Sequence, residues 1–400
     1  MKKFLLFCFV VLFPLGPANS AMTVGTSTPP TGTVILGDYV FGGKLIKLFK
    51  YPGAVAYDSI RKVVYVADTD AHRVLKIGED GRVIDKWGKL DDAGRPVPGW
   101  GNGEFYRPEG VAVDLLGTVY VADKGNHRIQ KFSRDGTFVG SFGPAYINEE
   151  LGPMCCDPDI HRTDDVDFCR DGQLCSPGAV AVDYTGNIYV GDQTDHIQKF
   201  TRDGAFLSKW GGNGTGNGEF RRIGGIAADY TNHKVYVADA NNCRIQIFSE
   251  AGAYLGVWES EFVGRVSEIV GHYEPVCSFD PTGFMYPEQL AVDSSGNVYI
   301  TDRGNDRIKI MSPDGAVLAT LGKVVETRRT TRTGEEKVEI RPASGLEQGA
   351  FNQPAGVSVN PTGDVLYVAD KQNNRVQWFT KTMKPKQTLF QRVFGITPKR

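Results

Sequence analysis

Short apolar runs recur along this chain at intervals that suit β-strands, each with residues alternating in character and each bounded by Gly, Asp, Asn or Pro. The phrase Tyr-Val-Ala-Asp, or a close variant, stands at 65–68, 120–123, 189–192, 236–239, 299–302 and 367–370. Ahead of each copy lies a Gly-Val-Ala-Val-Asp-like strand ending at Asp58, Asp114, Asp183, Asp229, Asp293 or Asn360. Behind each copy comes an Arg-Ile-Gln-Lys-Phe-like strand, and a fourth strand closes the unit, ending at pairs such as Trp87-Gly88, Phe142-Gly143 and Trp210-Gly211. Turns such as those at 79–81, 134–136 and 313–315 make each unit an up-and-down antiparallel sheet. One such sheet cannot bury both of its faces, whereas six packed around an axis bury them against one another. The pattern therefore predicts an all-β chain: a six-bladed β-propeller of four-stranded blades, with blades near 50–88, 110–143, 178–211, 225–259, 289–322 and 356–395 of a single domain spanning 34–400.

Within a unit, the Asp that ends the second strand and the Arg that opens the third lie five residues apart across a tight turn. They are expected to pair as structural locks: Asp68 with Arg73, Asp123 with Arg128, Asp239 with Arg244, Asp302 with Arg307 and Asp370 with Arg375. Blade three is one residue shorter and carries His196 in place of the Arg, which makes it the irregular unit. The run Gly-Val-Ala-Val-Asp, Gly-Thr-Val-Tyr-Val-Ala-Asp, Asn-His-Arg-Ile-Gln-Lys-Phe at 110–132 resembles the NHL repeat, and the resemblance covers roughly residues 50 to 395. Length variation is confined to the connections between blades. In a four-stranded meander these emerge at the same end as the turn joining strands two and three, so every long insertion decorates one face. That face is the expected functional surface.

Two insertions differ in chemistry. The one at 144–177 is rich in cysteine and aspartate, and the one at 323–342 alternates polar and apolar residues around Thr333-Gly334, which predicts a charged hairpin suited to a partner contact. At the amino terminus, Lys2 and Lys3 precede an apolar run at 4–15 and small residues at 18–21, the pattern of a secretory signal peptide over 1–21, followed by a flexible leader at 22–33. The protein is thus expected to be secreted or periplasmic, in the cell envelope, with no transmembrane segment in the mature chain. Export favours disulfides among Cys155, Cys156, Cys169, Cys175, Cys243 and Cys277, with Cys243 and Cys277 as one pair and the connectivity within 155–175 open. The balance of 45 Lys and Arg against 47 Asp and Glu provides no nucleic-acid footprint.

Candidate chemistry is sparse. Asp157, Asp159, Asp164, Asp165 and Asp167 form a carboxylate density suited to calcium, although their spacing matches no EF-hand loop. The resemblance implies a second possibility, because NHL propellers include a zinc-dependent lyase acting on peptidyl-hydroxyglycine whose metal histidines follow a Pro at the start of first strands. Here those positions hold Gly53, Glu109, Gly178, Gly224, Glu288 and Ala355, and none is histidine. Glu109 and Glu288 are expected to face each other at the mouth of the channel, placed to hold a cation or a cationic ligand. His72, His127 and His196 read as repeat filler. The expected function is a non-catalytic binding or scaffold propeller that engages an extracellular or envelope protein or glycan, with a metal-dependent lyase or hydrolase as the alternative.

Overall fold

A computed structural model describes residues 33–36, 39–46, 48–143, 146–148, 152–154, 170–259, 283–322, 324–330, 336–342, 344–346 and 349–383. Five blades are continuous four-stranded antiparallel meanders; in blade two, for example, Pro108–Val113, Val119–Asp123, Arg128–Phe132 and Phe138–Phe142 follow one another. The first strands of neighbouring blades touch in succession, and that of blade six (Pro354–Val359) touches that of blade one (Pro52–Asp58), so the ring is closed. Each gap between adjacent blades holds its own apolar cluster. Between blades one and two, for instance, Tyr65, Trp87, Phe105, Val121 and Phe132 pack together. The tyrosine of every repeat phrase is buried in one of these clusters. The aromatic at the end of the fourth strand faces the next blade, where the Trp87 and Phe132 rings stack at 4.9 Å.

The sequence allows 34–41 to pair with 387–394 on the last blade and so join the two ends of the ring. In the structure the amino-terminal segment does join the last blade: Tyr39–Ile46 pairs along the whole of Arg375–Met383, from Tyr39 opposite Met383 to Ile46 opposite Val376. The amino-terminal segment is therefore the fourth strand of blade six, whose other three come from the carboxy-terminal end of the chain. Thr33–Leu36 folds back on it as a fifth strand. Residues 387–394 lie outside the described residues. So do 1–32, the aspartates at 157–167, and Cys155, Cys156, Cys169 and Cys277; only Cys175 and Cys243 of the six cysteines are described.

All five lock pairs are within ion-pair distance. Arg Nε to Asp Oδ2 is 2.7 Å for Arg73–Asp68, 3.0 Å for Arg128–Asp123, 2.7 Å for Arg244–Asp239, and 2.6 Å for both Arg307–Asp302 and Arg375–Asp370. Each also fastens the incoming inter-blade loop. Asp123 Oδ1 accepts the Tyr106 N–H at 2.8 Å, and Arg128 Nη2 donates to the carbonyls of Gly101 and Glu104. The lock thus ties the second strand, the third strand and the preceding connection into one buried knot, which is why every blade but one keeps both residues. In blade three the aspartate does this alone: Asp192 accepts the Cys175 N–H at 2.9 Å and the Thr194 hydroxyl at 2.6 Å. The loops held in this way lie on the face of the strand-two to strand-three turns. On that face the strands Val324–Thr330 and Glu336–Pro342 of the charged insertion pair as an antiparallel hairpin.

Candidate functional site

At the channel mouth on the loop-bearing face, three positions per blade converge. One is the second residue of the first strand, or in blade three the residue just before that strand: Gly53, Glu109, Gly178, Gly224, Glu288 and Ala355. Glycine is needed there where first strands crowd the axis; a Cβ on Gly224 would sit 2.5 Å from the Pro287 carbonyl oxygen. Another is the residue after the repeat Asp: Thr69, Lys124, Gln193, Ala240, Arg303 and Lys371. The last directly precedes the first strand or its leading residue: Tyr51, Arg107, Ser176, Arg222, Tyr286 and Gln353, all of which adopt left-handed backbone with φ between 48° and 61°. These eighteen positions contain five basic and two acidic residues.

Six left-handed non-glycine residues in a row of blades require something to hold them. For five of the six that holder is the previous blade. His72 Nδ1 accepts the Arg107 N–H at 3.1 Å, and His127 Nδ1 accepts the Ser176 N–H at 2.9 Å. Asp195, Asp306 and Asn374 do the same for Arg222, Gln353 and Tyr51 at 2.7, 2.6 and 2.8 Å. His72 and His127 are therefore inter-blade fasteners with a defined tautomer, Nδ1 unprotonated, and not mere filler. Their sequence signal was the set His, His, Asp, Cys, Asp, Asn at one repeat position, rich in hydrogen-bond acceptors. Burial lowers the pKa of both imidazoles. His196 sits elsewhere, beside Thr194.

Glu109 and Glu288 both line one cavity of about 600 Å³ at this mouth. Each is paired with cationic side chains of the chain itself. Glu109 Oε2 meets Lys124 Nζ at 2.5 Å, and its Oε1 lies 3.7 Å from Lys371 Nζ, reaching over from blade six. Glu288, with only 8% of its side chain exposed, is bracketed by Arg222 Nη2 at 2.5 Å and Arg303 Nη1 at 2.8 Å. Burial would raise the Glu109 pKa, but Lys124, Lys371 and Arg222 outweigh it and hold it below the ordinary value. Burial likewise opposes the charge of Arg222, yet Glu288 and Glu109 raise its pKa. Among the described residues no group of three His, Cys, Asp or Glu side chains is placed to hold a metal ion.

The cavity lies against blade three, where Gly178, Gly191, Gln193 and Asp195 form its wall. The shortened turn and small residues of that blade open it. A Cβ on Gly178 would meet nothing nearer than Glu109 Oε2 at 3.8 Å.

The NHL repeat pattern matches residues 105–132, 220–248, 284–311 and 351–379, the cores of blades two, four, five and six. These are the blades whose lock arginines are almost fully buried. Human NHL repeat-containing protein 2 is 25% identical over 376 residues, covering 83% of this chain and 48% of that protein, so the chain spans about half the length of this relative. Mouse NHL repeat-containing protein 3 is 28% identical over 223 residues, covering 52% and 55% of the two chains. In architecture the chain is similar to a gluconolactonase from Xanthomonas campestris, with a TM-score of 0.53, 14% identity, and coverage of 87% of this chain and 91% of that one; this likeness is one of fold alone. The chain is an NHL-repeat β-propeller.

Proposed function

We propose that this propeller is a non-catalytic binding protein that engages an extracellular or envelope protein or glycan through its loop-bearing face. The observation that carries this reading is the state of the two mouth carboxylates. A general base must be free to take a proton and a metal ligand must offer its lone pairs, whereas Glu109 and Glu288 each give theirs to two cations. What remains is a fixed, charge-paired surface set among loops that the buried locks hold in place. Propellers are permissive platforms, and the rigid ring with variable loops suits recognition. The apolar leader and the even number of cysteines after it support action outside the cytoplasm.

The test compares the intact chain with a variant lacking the hairpin 324–342, using capture from the native extracellular fraction and a glycan array. Binding that is lost or weakened on trimming supports the proposal. Binding unaffected by trimming overturns it, as does turnover of a lactone or peptidyl substrate that disappears with chelator. No helix among the described residues is long and apolar enough to cross a membrane.

A further inference from the structure

The mouth cavity is close to neutral, and its carboxylates are already committed. Four acids, Glu109, Asp192, Asp195 and Glu288, and three cations, Lys124, Arg221 and Arg222, line it. Lys371 and Arg303 reach Glu109 and Glu288 from beyond the lining, and with them the sum still lies within one unit charge of zero. Glu109 and Glu288 are held by the cations described above. Asp192 accepts the Cys175 N–H on Oδ2 and the Thr194 N–H and hydroxyl on Oδ1. Asp195 accepts the Arg222 N–H on Oδ1 and the Asn213 carboxamide on Oδ2, both at 2.7 Å. Arg221 stands outside the ion pairs, and so do the two aspartates, which balance it in the sum. The recess as a whole therefore favours neither an anion nor a cation.

What the lining leaves unspent is mostly neutral. Gln193 of blade three and Asn241 of blade four are exposed, and among the described residues neither carboxamide has a hydrogen-bond partner. In blade five Gln289 gives Oε1 to the Val357 N–H at 2.9 Å and keeps its Nε2 donors in hand. The same repeat position holds Ala54, Gly110, Ala179, Gly225 and Gly356 in the other blades, so Gln289 is the one polar side chain at that level of the channel. Tyr286, 39% exposed, brings an aromatic ring to the same cavity. Carboxamides donate and accept from adjacent atoms, as sugar hydroxyls require, and a ring can cover the C–H face of a pyranose. The volume of about 600 Å³ is in the usual range for small-molecule sites. A peptide also offers amides, but it binds extended along a row of backbone donors, whereas these carboxamides converge on one recess from three blades. We infer that the mouth cavity binds a neutral sugar unit, with Gln193, Asn241 and Gln289 bonding its hydroxyls and Tyr286 covering its C–H face. This rests on the binding reading above and narrows it from protein or glycan to a neutral glycan.

Two kinds of variant separate the site from the fold. The Gln193 and Asn241 side chains are exposed and tie no blade to its neighbour, so Gln193→Ala and Asn241→Ala remove the contacts alone. Gly178→Leu fills the cavity while leaving every polar group in place, because Glu109 Oε2, at 3.8 Å, is the only non-neighbouring atom within 4 Å of its Cβ.

Isothermal titration of the full chain tests the inference, with glucose, galactose, mannose and N-acetylglucosamine as free sugars and as trimers, and with glucuronate, glucosamine and triglycine beside them. Binding of at least one neutral sugar is expected, with an affinity that does not change with salt. Gln193→Ala and Asn241→Ala should each weaken it by about tenfold, or ~1.4 kcal/mol, and Gly178→Leu should abolish it, all three with melting temperatures close to that of the parent. A trimer binding more tightly than its free sugar identifies the end of a glycan chain, and equal affinity identifies a free sugar; either supports the site. Overturning results are the absence of neutral-sugar binding, glucuronate or glucosamine binding more tightly than every neutral sugar, triglycine matching the best sugar, or sugar binding indifferent to Gly178→Leu. Partner capture that depends on the hairpin 324–342 and survives Gly178→Leu would refute the cavity assignment alone and leave the binding reading standing.

Discussion

His127 Nδ1 accepts the backbone N–H of Ser176 at 2.9 Å, so a side chain at the end of one turn in blade two fixes the left-handed residue that leads into blade three. His72 fixes Arg107 in the same way, facing Asp70, Arg107 and Lys50. Both links need a bare nitrogen and cannot survive its protonation.

Stability should therefore depend on pH through these two groups. Their folded pKa values lie below the unfolded value of about 6.5, so the unfolded chain binds more protons, and the stability they confer is complete above about 6.5 and lost as pH falls toward the folded values. Each broken link should cost about 1 kcal/mol. Asn374 fills the same position in blade six with an acceptor that does not titrate. The double variant His72→Asn with His127→Asn should flatten the decline in urea stability as the pH falls below about 6.5, and an unchanged slope would show that the imidazoles do not control it.

Arg375 is 1% exposed and sits between Asp370 at 2.6 Å and the Ala350 carbonyl at 2.7 Å. Arg375→Ala strands a buried carboxylate and leaves loop carbonyls without their donor, at a cost of about 3–5 kcal/mol. The partly exposed His196 of blade three takes no part in such a pair, so His196→Ala should cost under about 1 kcal/mol. Chemical denaturation of the two variants would expose the difference, and equal costs would mean that the lock is dispensable.

Blade six depends on the strand Tyr39–Ile46. Removing residues 33–46 uncovers the whole edge of Arg375–Met383, so the shortened chain should melt well below the parent and self-associate through the open edge. Light scattering during a thermal ramp reads both effects; a monomer with the parental melting temperature would show that the ring holds without this strand.

Cys243 stands where the other blades place His72, His127, Asp195, Asp306 and Asn374, and is 7% exposed. In exported protein it is expected to be bridged to Cys277. Peptide mapping without reductant should recover the two peptides joined; alkylation of Cys243 under the same conditions would refute the pairing.

The locks were legible because both partners are side chains at a constant separation within one unit. The fasteners were not, although their residues were visible, because the donor in each case is a backbone N–H of the next blade and any residue type supplies one. Arg222 and Ser176 share that position with no chemistry in common. The mouth cations escaped for a related reason: Lys124, Arg303 and Lys371 hold one repeat position and Arg222 another, and only stacking six units around an axis brings them to Glu109 and Glu288. The closing strand was legible as an amino-terminal partner for the last blade but not in its register, because 387–394 carries as plausible an apolar pattern as Arg375–Met383, whose outer edge Tyr39–Ile46 covers. Blade three was legible as irregular from its missing Arg, and the cavity beside Gly178 and Gln193 is the physical result.

Because blade six draws strands from two stretches far apart in the sequence, its assembly has an order in time. Tyr39–Ile46 leaves the ribosome long before the strand it needs, Arg375–Met383. Throughout synthesis the early strand must stay extended and unclaimed, a sticky edge seeking any partner. A chain that crosses a membrane before folding would escape this hazard, since the two strands then meet on the far side at the same time.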